Sequence, residues 1–280
     1  MLMITHQRVL IVGCGYVGTA VGKELAGQGH RVTGTTRNAR RTPALEAAGI
    51  RHAVLDLEDE SRLTELVRDA DVVCFTVAAG REKQNYRDVY LEGIRRLLRA
   101  ANGSPIQHII YTSATSVYGQ TDGSWIDETA PTEPLTDNGR VLVETEAALL
   151  AGAHQLRIPA AIFRLAGIYG PGRDPLAWFK RQDTSRPRRH PDAYLNMIHI
   201  DDIAQALAAA VTHRIAGVMN LSDDEPMLRR ELYTRLCARA GLPEPHWPEP
   251  DDKSPADLGK RVRNDQAKRL LGLQLLHPTR

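Results

Sequence analysis

The sequence predicts an α/β fold: a doubly wound parallel sheet with a smaller C-terminal lobe. Three observations predict it. Short β-branched runs alternate with amphipathic stretches through the first 165 residues, the first run breaks into a glycine-rich turn, and regular patterning thins beyond residue 173. Strands that alternate with helices must pair in parallel, because each helix carries the chain back to the same end of the sheet.

The elements follow in order. Arg8-Val9-Leu10-Ile11-Val12 is the kind of apolar run that a strand buried on both faces requires, and it ends in Gly13-Cys14-Gly15-Tyr16-Val17-Gly18. A helix is predicted next, with Val17, Ala20, Val21, Leu25 and Ala26 on one face and Gly27 and Gly29 closing it. Further strands are predicted at 31–35, 52–55, 71–76 and 107–111, with helices over 61–69 and 83–101 between them. A Ser-, Thr-, Asp- and Pro-rich loop runs to about Pro134, followed by a helix over 138–154 and a strand over 160–164. Residues 173–196 show little periodicity and predict a loop or lid. Met197 to Ile203 reads as a strand entering a helix, 229–240 as another helix, and Pro243 to Pro255 as a link. The expected division is a nucleotide-binding domain over 1–165 and a smaller substrate-binding lobe over 166–280, interleaved with the end of the sheet.

Composition sets the function classes aside. The 280 residues are 42% hydrophobic and 25% charged, which excludes a disordered or collagen-like chain. Thirty-six Lys and Arg face 34 Asp and Glu, so the net charge of +2 predicts neither a nucleic-acid partner nor an anionic membrane. Cys14, Cys74 and Cys237 are too scattered for a disulfide framework, and the ten His are dispersed, so no metal centre is expected. No apolar run approaches the roughly 18 residues of a spanning helix. The opening residues lack a signal-peptide layout, and a cytoplasmic location is the expectation.

Gly13-x-Gly15-x-x-Gly18 lies between a strand and a helix, the setting that gives the spacing its meaning. Gly13 permits the tight turn, Gly15 admits a pyrophosphate to the backbone, and Gly18 lets helix and strand approach. Tyr16 and Val17 open the helix, whose free N–H groups and positive end hold phosphate charge. This predicts a Rossmann-type dinucleotide site. Cys14 reads as a small buried filler rather than a reactive thiol. At the end of the second strand an NAD site usually carries a carboxylate. Here stand Thr35-Thr36-Arg37-Asn38, with Arg40 and Arg41 behind, so NADP is expected in preference to NAD.

Other segments carry a resemblance: Asp56-Leu57, Thr76-Val77-Ala78-Ala79, Tyr111 to Gly119, Arg164 to Arg173, Ile198-His199-Ile200-Asp201-Asp202 and Asn220 to Pro226. Together with the glycine loop, they resemble the extended short-chain dehydrogenase/reductases, the NAD-dependent epimerase/dehydratase group, and most of all its atypical, YeeZ-like branch. The resemblance implies cofactor contacts from Asp56, Leu57, Val77, Ala78, Ala79 and Leu165. It also implies a homodimer through the helices near 83–101 and 138–154.

That family's chemistry rests on a Ser or Thr, a Tyr, and a Lys four residues after the Tyr. The matching positions are Ala114, Asn138 and Leu142, and no Tyr-x-x-x-Lys occurs anywhere in the chain. An amide and an alkyl chain move no proton near neutral pH, so the usual acid–base route is closed. Ser113, Thr115 and Tyr118 are the replacement candidates for catalysis, while Tyr169 and His199 are more readily structural. For substrate binding the candidates are Arg81, Gly167, Tyr169, Trp178 and Asn196, joined in the presumed lid by Phe179, Tyr194, Arg186, Arg188 and Arg189. The expected function is an NAD(P)-dependent oxidoreductase acting on a small molecule with a non-standard proton source. The alternatives are a non-catalytic NAD(P) sensor, or an epimerase or lyase that retains its nucleotide.

Overall fold

The structure, a computed structural model, describes residues 6–79, 85–180, 190–243, 245, 247 and 257–278, without the side chains of 178–180. The first half runs β1 (Arg8–Val12), α1 (Tyr16–Gly27), β2 (Arg31–Thr36), α2 (Thr42–Ala47), β3 (Arg51–Val54), α3 (Glu60–Arg68), β4 (Val72–Phe75), α4 (Gly93–Ala101) and β5 (His108–Ala114). The second half runs β6 (Trp125–Ile126), α5 (Asp137–Leu156), β7 (Ala160–Leu165), β8 (Gly167–Tyr169), α6 (Pro175–Lys180), β9 (Tyr194–Leu195) and β10 (Met197–His199). It continues through α7 (Ile200–His213), β11 (Gly217–Leu221), β12 (Met227–Leu228), α8 (Arg229–Arg239), β13 (Arg261–Val262) and α9 (Asp265–Leu271).

Seven strands form one sheet in the order β11-β7-β5-β4-β1-β2-β3, and every pairing is parallel. The connection order reverses between β1 and β4, which opens a crevice beyond their C-terminal ends. Alternation along the strands supplies the two cores. Val9, Ile11, Cys74 and Phe163 pack with Val21 and Leu25 of α1 and Ile203 and Leu207 of α7. Leu10, Val12, Val73 and Phe75 pack on the other side with Leu63, Ile94 and Leu149 from α3, α4 and α5. Each such buried side chain contributes about 1.5–3 kcal/mol relative to exposure. The edge strand β3 leaves Arg51 and His52 exposed, charge that discourages pairing with another chain.

Several features depart from the expected elements. Within 173–196, expected to be loop, α6 and β9 are regular. Asp174 Oδ1 accepts the Leu176 N–H at 2.9 Å and Pro175 opens the helix, a local start signal that the weak periodicity hid. Residues 181–189, which hold Arg186, Arg188 and Arg189, lie outside the described residues, as does most of the 243–255 link. The seventh strand, β11, and the short helices α2 and α9 were not expected at all. β11 completes the sheet beside β7, and α7 packs on α1. Outside the seven-stranded sheet, β8 pairs with β10, β9 with β12, and β6 with β13.

His108 opens β5 fully buried, with Nε2 donating to the Ile215 carbonyl at 2.9 Å. Desolvation pulls its pKa down to about 4, against the backbone hydrogen bond that raises it. The unfolded chain therefore binds this proton more readily between about pH 6.5 and 4, and stability present above 6.5 is lost as pH falls through that window. The expected loss is roughly 3 kcal/mol by pH 4. His108→Gln, which can still donate to Ile215, should flatten the pH dependence in denaturant titrations between pH 4 and 7. An unchanged slope would assign the acid sensitivity elsewhere.

Candidate active site and cofactor pocket

Gly13 sits at φ +95°, a left-handed conformation that only glycine adopts without strain, and a methyl placed on it would lie 2.8 Å from Val77 Cα. The turn is held from both sides. Gly13 N–H donates to Thr35 Oγ1 at 2.9 Å, and Thr76 Oγ1 donates to the Gly13 carbonyl at 2.9 Å. A methyl on Gly18 would meet that carbonyl oxygen at 2.5 Å and Thr76 Oγ1 at 2.6 Å, so α1 can cross β1 this closely only with glycine. Gly15 differs, because the nearest atom to a methyl there is 4.0 Å away. Above it, α1 begins with no side-chain cap and no acidic residue in its first turn. That is an open, positively polarised helix end, suited to a phosphate.

From this turn a cavity of about 440 Å³ extends along the ends of β1, β2 and β4. Gly13 and Gly15 line it at one end, Thr36 and Arg37 at the end of β2, Asp56 and Leu57 after β3, and Val77 and Ala78 after β4. Sequence reasoning did not place Glu58, Asn85, Asp88, Val89 and Arg96 on the same wall. Glu58 comes from the loop after β3, Asp88 and Val89 from the π-helical turn Asp88–Glu92, Asn85 from just before it and Arg96 from α4, and no local motif marks them. Arg41 and Asn38 also line the cavity. The uncapped helix end, the open space at Gly15 and the cationic end of β2 fit a nicotinamide dinucleotide.

The remaining cofactor candidates lie around the cavity rather than on its wall. Tyr16 donates its hydroxyl to the Pro171 carbonyl at 3.0 Å, under the Arg173 guanidinium at 4.3 Å. Val17 and Leu165 belong to the core, and Ala79 N–H reaches the Tyr90 hydroxyl at 3.4 Å. Cys14 is buried, and desolvation pushes its thiol up to about 12, the behaviour of a packed filler.

The catalytic candidates are engaged elsewhere. Ser113 donates to Glu146 Oε1 at 2.5 Å, and Glu146 takes Arg164 Nη2 at 2.7 Å in a buried ion pair. Arg164 Nη1 donates to the Tyr118 hydroxyl, which donates in turn to Asn220 Oδ1, both at 2.8 Å. Burial raises the Tyr118 pKa and Arg164 only partly offsets it, the reverse of the activation a nearby lysine gives this chemistry. Thr115 is half-buried at the start of the turn after Ala114. Asn138 is exposed in the first turn of α5, whose Thr136 cap accepts the Gly139 N–H at 3.1 Å. Leu142, one turn on, packs with Val117, Tyr118, Ile126 and Val262. The position expected for the lysine therefore lies in an apolar cluster. A cation does approach from the tail, where Lys260 Nζ donates to the Tyr118 carbonyl at 2.7 Å.

Of the substrate candidates, Gly167 and Tyr169 lie on β8, the Tyr169 ring edge-on to His199 at 4.9 Å. Asn196 has both ends of its amide occupied, donating to the Lys260 carbonyl and accepting from Val262 N–H at 2.8 Å each. Trp178 and Phe179 fall on α6, with side chains outside the description, and Arg81 lies outside the described residues. The expected dispersal of histidines fails in one place: the fold brings His199 and His277 to ring centroids 3.6 Å apart beside Asp201. Tail docking, which no spacing in the sequence announces, makes that meeting.

The profile of the family described as NAD dependent epimerase/dehydratase matches residues 9–222, covering the glycine turn, the whole sheet and the β8–β10 pair. The chain belongs to this epimerase/dehydratase family. Protein YeeZ of Escherichia coli strain K12 is 30% identical over 280 residues, covering 97% of each chain. A solved structure titled as a putative NAD-dependent epimerase/dehydratase from Methylobacillus flagellatus shares 31% identity and superposes with a TM-score of 0.82, covering 98% of this chain and 95% of that one. MoeE5, solved with UDP-glucose and NAD, covers 96% of this chain and 93% of its own at a TM-score of 0.77. At 22% identity that likeness is one of fold. Among the described residues of this chain, no helix is long and apolar enough to cross a membrane.

Proposed function

We propose that this family member is an oxidoreductase that prefers NADP and reduces a small molecule without the Tyr–Lys acid–base couple. The observation that carries the reading is the wall beyond β2, where Arg37 and Arg41 line the cavity and the strand ends in threonines instead of a carboxylate. A 2′-phosphate would meet cations there, whereas a carboxylate would repel it. Gly13, Gly15 and the first turn of α1 would hold the pyrophosphate, and Asp56 and Leu57 would face the adenine. The bound nicotinamide supplies the hydride donor or acceptor. With Ser113 and Tyr118 committed to the Arg164 network, Thr115 is the hydroxyl we assign to orienting substrate, and the proton comes from the substrate or solvent. An activated C=N or C=C bond suits such a site, because its reduction asks less of an acid than a ketone does.

Calorimetric titration with NADPH, NADP⁺, NADH and NAD⁺ tests the preference. Arg37→Ala and Arg41→Ala are each expected to weaken NADPH about tenfold, the loss of one charge-assisted hydrogen bond, and to leave NADH within about twofold. Equal affinities for NADH and NADPH in the parent protein would overturn the NADP reading. A second reading, a dinucleotide sensor without turnover, is favoured by one observation: the apolar cluster that closes the lysine position around Leu142. Oxidation of NADPH followed at 340 nm across imine, enone and carbonyl panels separates the two. The proposal includes a homodimer through the exposed faces of α4 and α5, which light scattering would reveal.

A further inference from the structure

We propose that the cavity at the N-terminal ends of β1, β2 and β3 is a binding site for a small phosphate monoester, with Arg31 and Arg51 as its anion-binding pair. The cavity measures about 370 Å³ and lies between these strands and α3. That volume falls within the roughly 300–1,000 Å³ of small-molecule pockets. It shares no lining residue with the cofactor cavity. Arg8, on its wall, opens β1, and Val12, on the wall of the cofactor cavity, ends the same strand about 13 Å away.

Strand pairing gathers the charge. Arg8 of β1 stands in register with Arg31 of β2, and Thr33, two residues on and so on the same face, with Arg51 of β3. Arg31 and Arg51 are therefore diagonal neighbours, with Cα atoms about 7–8 Å apart. Arg62 adds a fourth guanidinium from α3. Like charges on neighbouring strands repel unless something matches them. Two of the four are matched: Arg8 pairs with Asp71 at 2.7 Å and Asp69 at 3.2 Å, and Arg62 pairs with Glu65. Among the described residues, Arg31 and Arg51 make neither an ion pair nor a side-chain hydrogen bond. Charge on Arg51 also guards the edge strand, but Arg31 lies on β2, an inner strand with no such need.

The chemistry of the wall sets the ligand class. A guanidinium offers two parallel N–H donors to phosphate oxygens, and two guanidiniums on neighbouring strands match a dianion. A single carboxylate would leave one of them unmatched. The half-buried Thr33, beside Arg51, adds a hydroxyl to the same wall. Leu10, Ala53, Leu66 and Ala70 make the remaining wall apolar, a surface for the carbon body that an ester has and bare phosphate lacks. Glu65 and Asp69 also line the space, each held by its own arginine, so the four guanidiniums outnumber the carboxylates of the wall.

The site is independent of the cofactor reading, and its test needs no activity. In phosphate-free buffer at low ionic strength, the protein is titrated calorimetrically with ribose 5-phosphate and, separately, with inorganic phosphate. We expect one site for the ester with a dissociation constant of about 1 mM or lower, and inorganic phosphate at least about tenfold weaker. Arg31→Gln and Arg51→Gln change exposed side chains and should each weaken the ester at least about tenfold. Their melting temperatures should stay within about 2 °C of the parent. Gly15→Asp should leave ester binding unchanged, because that turn belongs to the other cavity. No binding of the ester at about 10 mM would overturn the proposal. So would affinity unchanged in both arginine variants, or lost in Gly15→Asp, because the phosphate would then sit elsewhere. Inorganic phosphate as tight as the ester would leave a bare anion site and overturn it as well.

Discussion

Replacing Arg164 by methionine is expected to destabilise the protein by about 3–5 kcal/mol, the effect of breaking a buried ion pair from one side. Methionine fills much of the same volume but leaves the Glu146 carboxylate buried with the Ser113 hydroxyl as its hydrogen-bond donor, and the Tyr118 hydroxyl without its donor. Because Ser113, Glu146, Arg164 and Asn220 come from β5, α5, β7 and β11, the damage spreads across that end of the sheet. At 2–4 °C per kcal/mol, the melting temperature should fall by roughly 10 °C. The double variant Arg164→Met with Glu146→Leu should recover most of that loss, since replacing both charges by apolar groups removes the unpaired one. Scanning calorimetry on the three proteins checks both statements. A single variant that melts with the parent would show that the pair contributes little.

Gly15→Asp is expected to lower dinucleotide affinity by at least a hundredfold while leaving the fold intact. The nearest atom to a methyl at Gly15 is 4.0 Å away, so the new side chain meets no backbone. It would place a carboxylate on the uncapped end of α1, where negative charge favours the helix by roughly 0.3–1 kcal/mol. The same carboxylate occupies the space and the N–H groups that a pyrophosphate would use, and repels it. Melting temperature should hold or rise slightly while calorimetric binding disappears. The contrast is Gly18→Ala, in which contacts of 2.5 and 2.6 Å should cost stability as well as binding. If Gly15→Asp binds nucleotide like the parent, the glycine turn is not the phosphate site.

These two predictions also mark how far the sequence could be read. Gly13, Gly15 and Gly18 announced their roles because each answers a local demand: a positive φ, open space, and a close crossing. The strand β1 was legible from its own apolar run, and α5 as a helix over 138–154. Arg164 was visible only as part of a motif. Nothing within a few residues of it says that Glu146 and Tyr118 will be its partners, or that Ser113 and Tyr118 will be drawn away from a pocket. β11 was missed for a similar reason. Gly217-Val218-Met219-Asn220-Leu221 has weak strand character of its own and becomes a strand by pairing with β7.

The sequence by itself determined the α/β class, the parallel sheet and the glycine turn. All of these follow from residue types and short spacings. Only the tertiary structure decided which hydroxyls are committed, what fills the position expected for the lysine, which residues beyond β3 and β4 wall the cavity, and that His199 meets His277. Those depend on packing and pairing between segments far apart in the chain, and a short-range pattern carries no information about which distant segment will arrive.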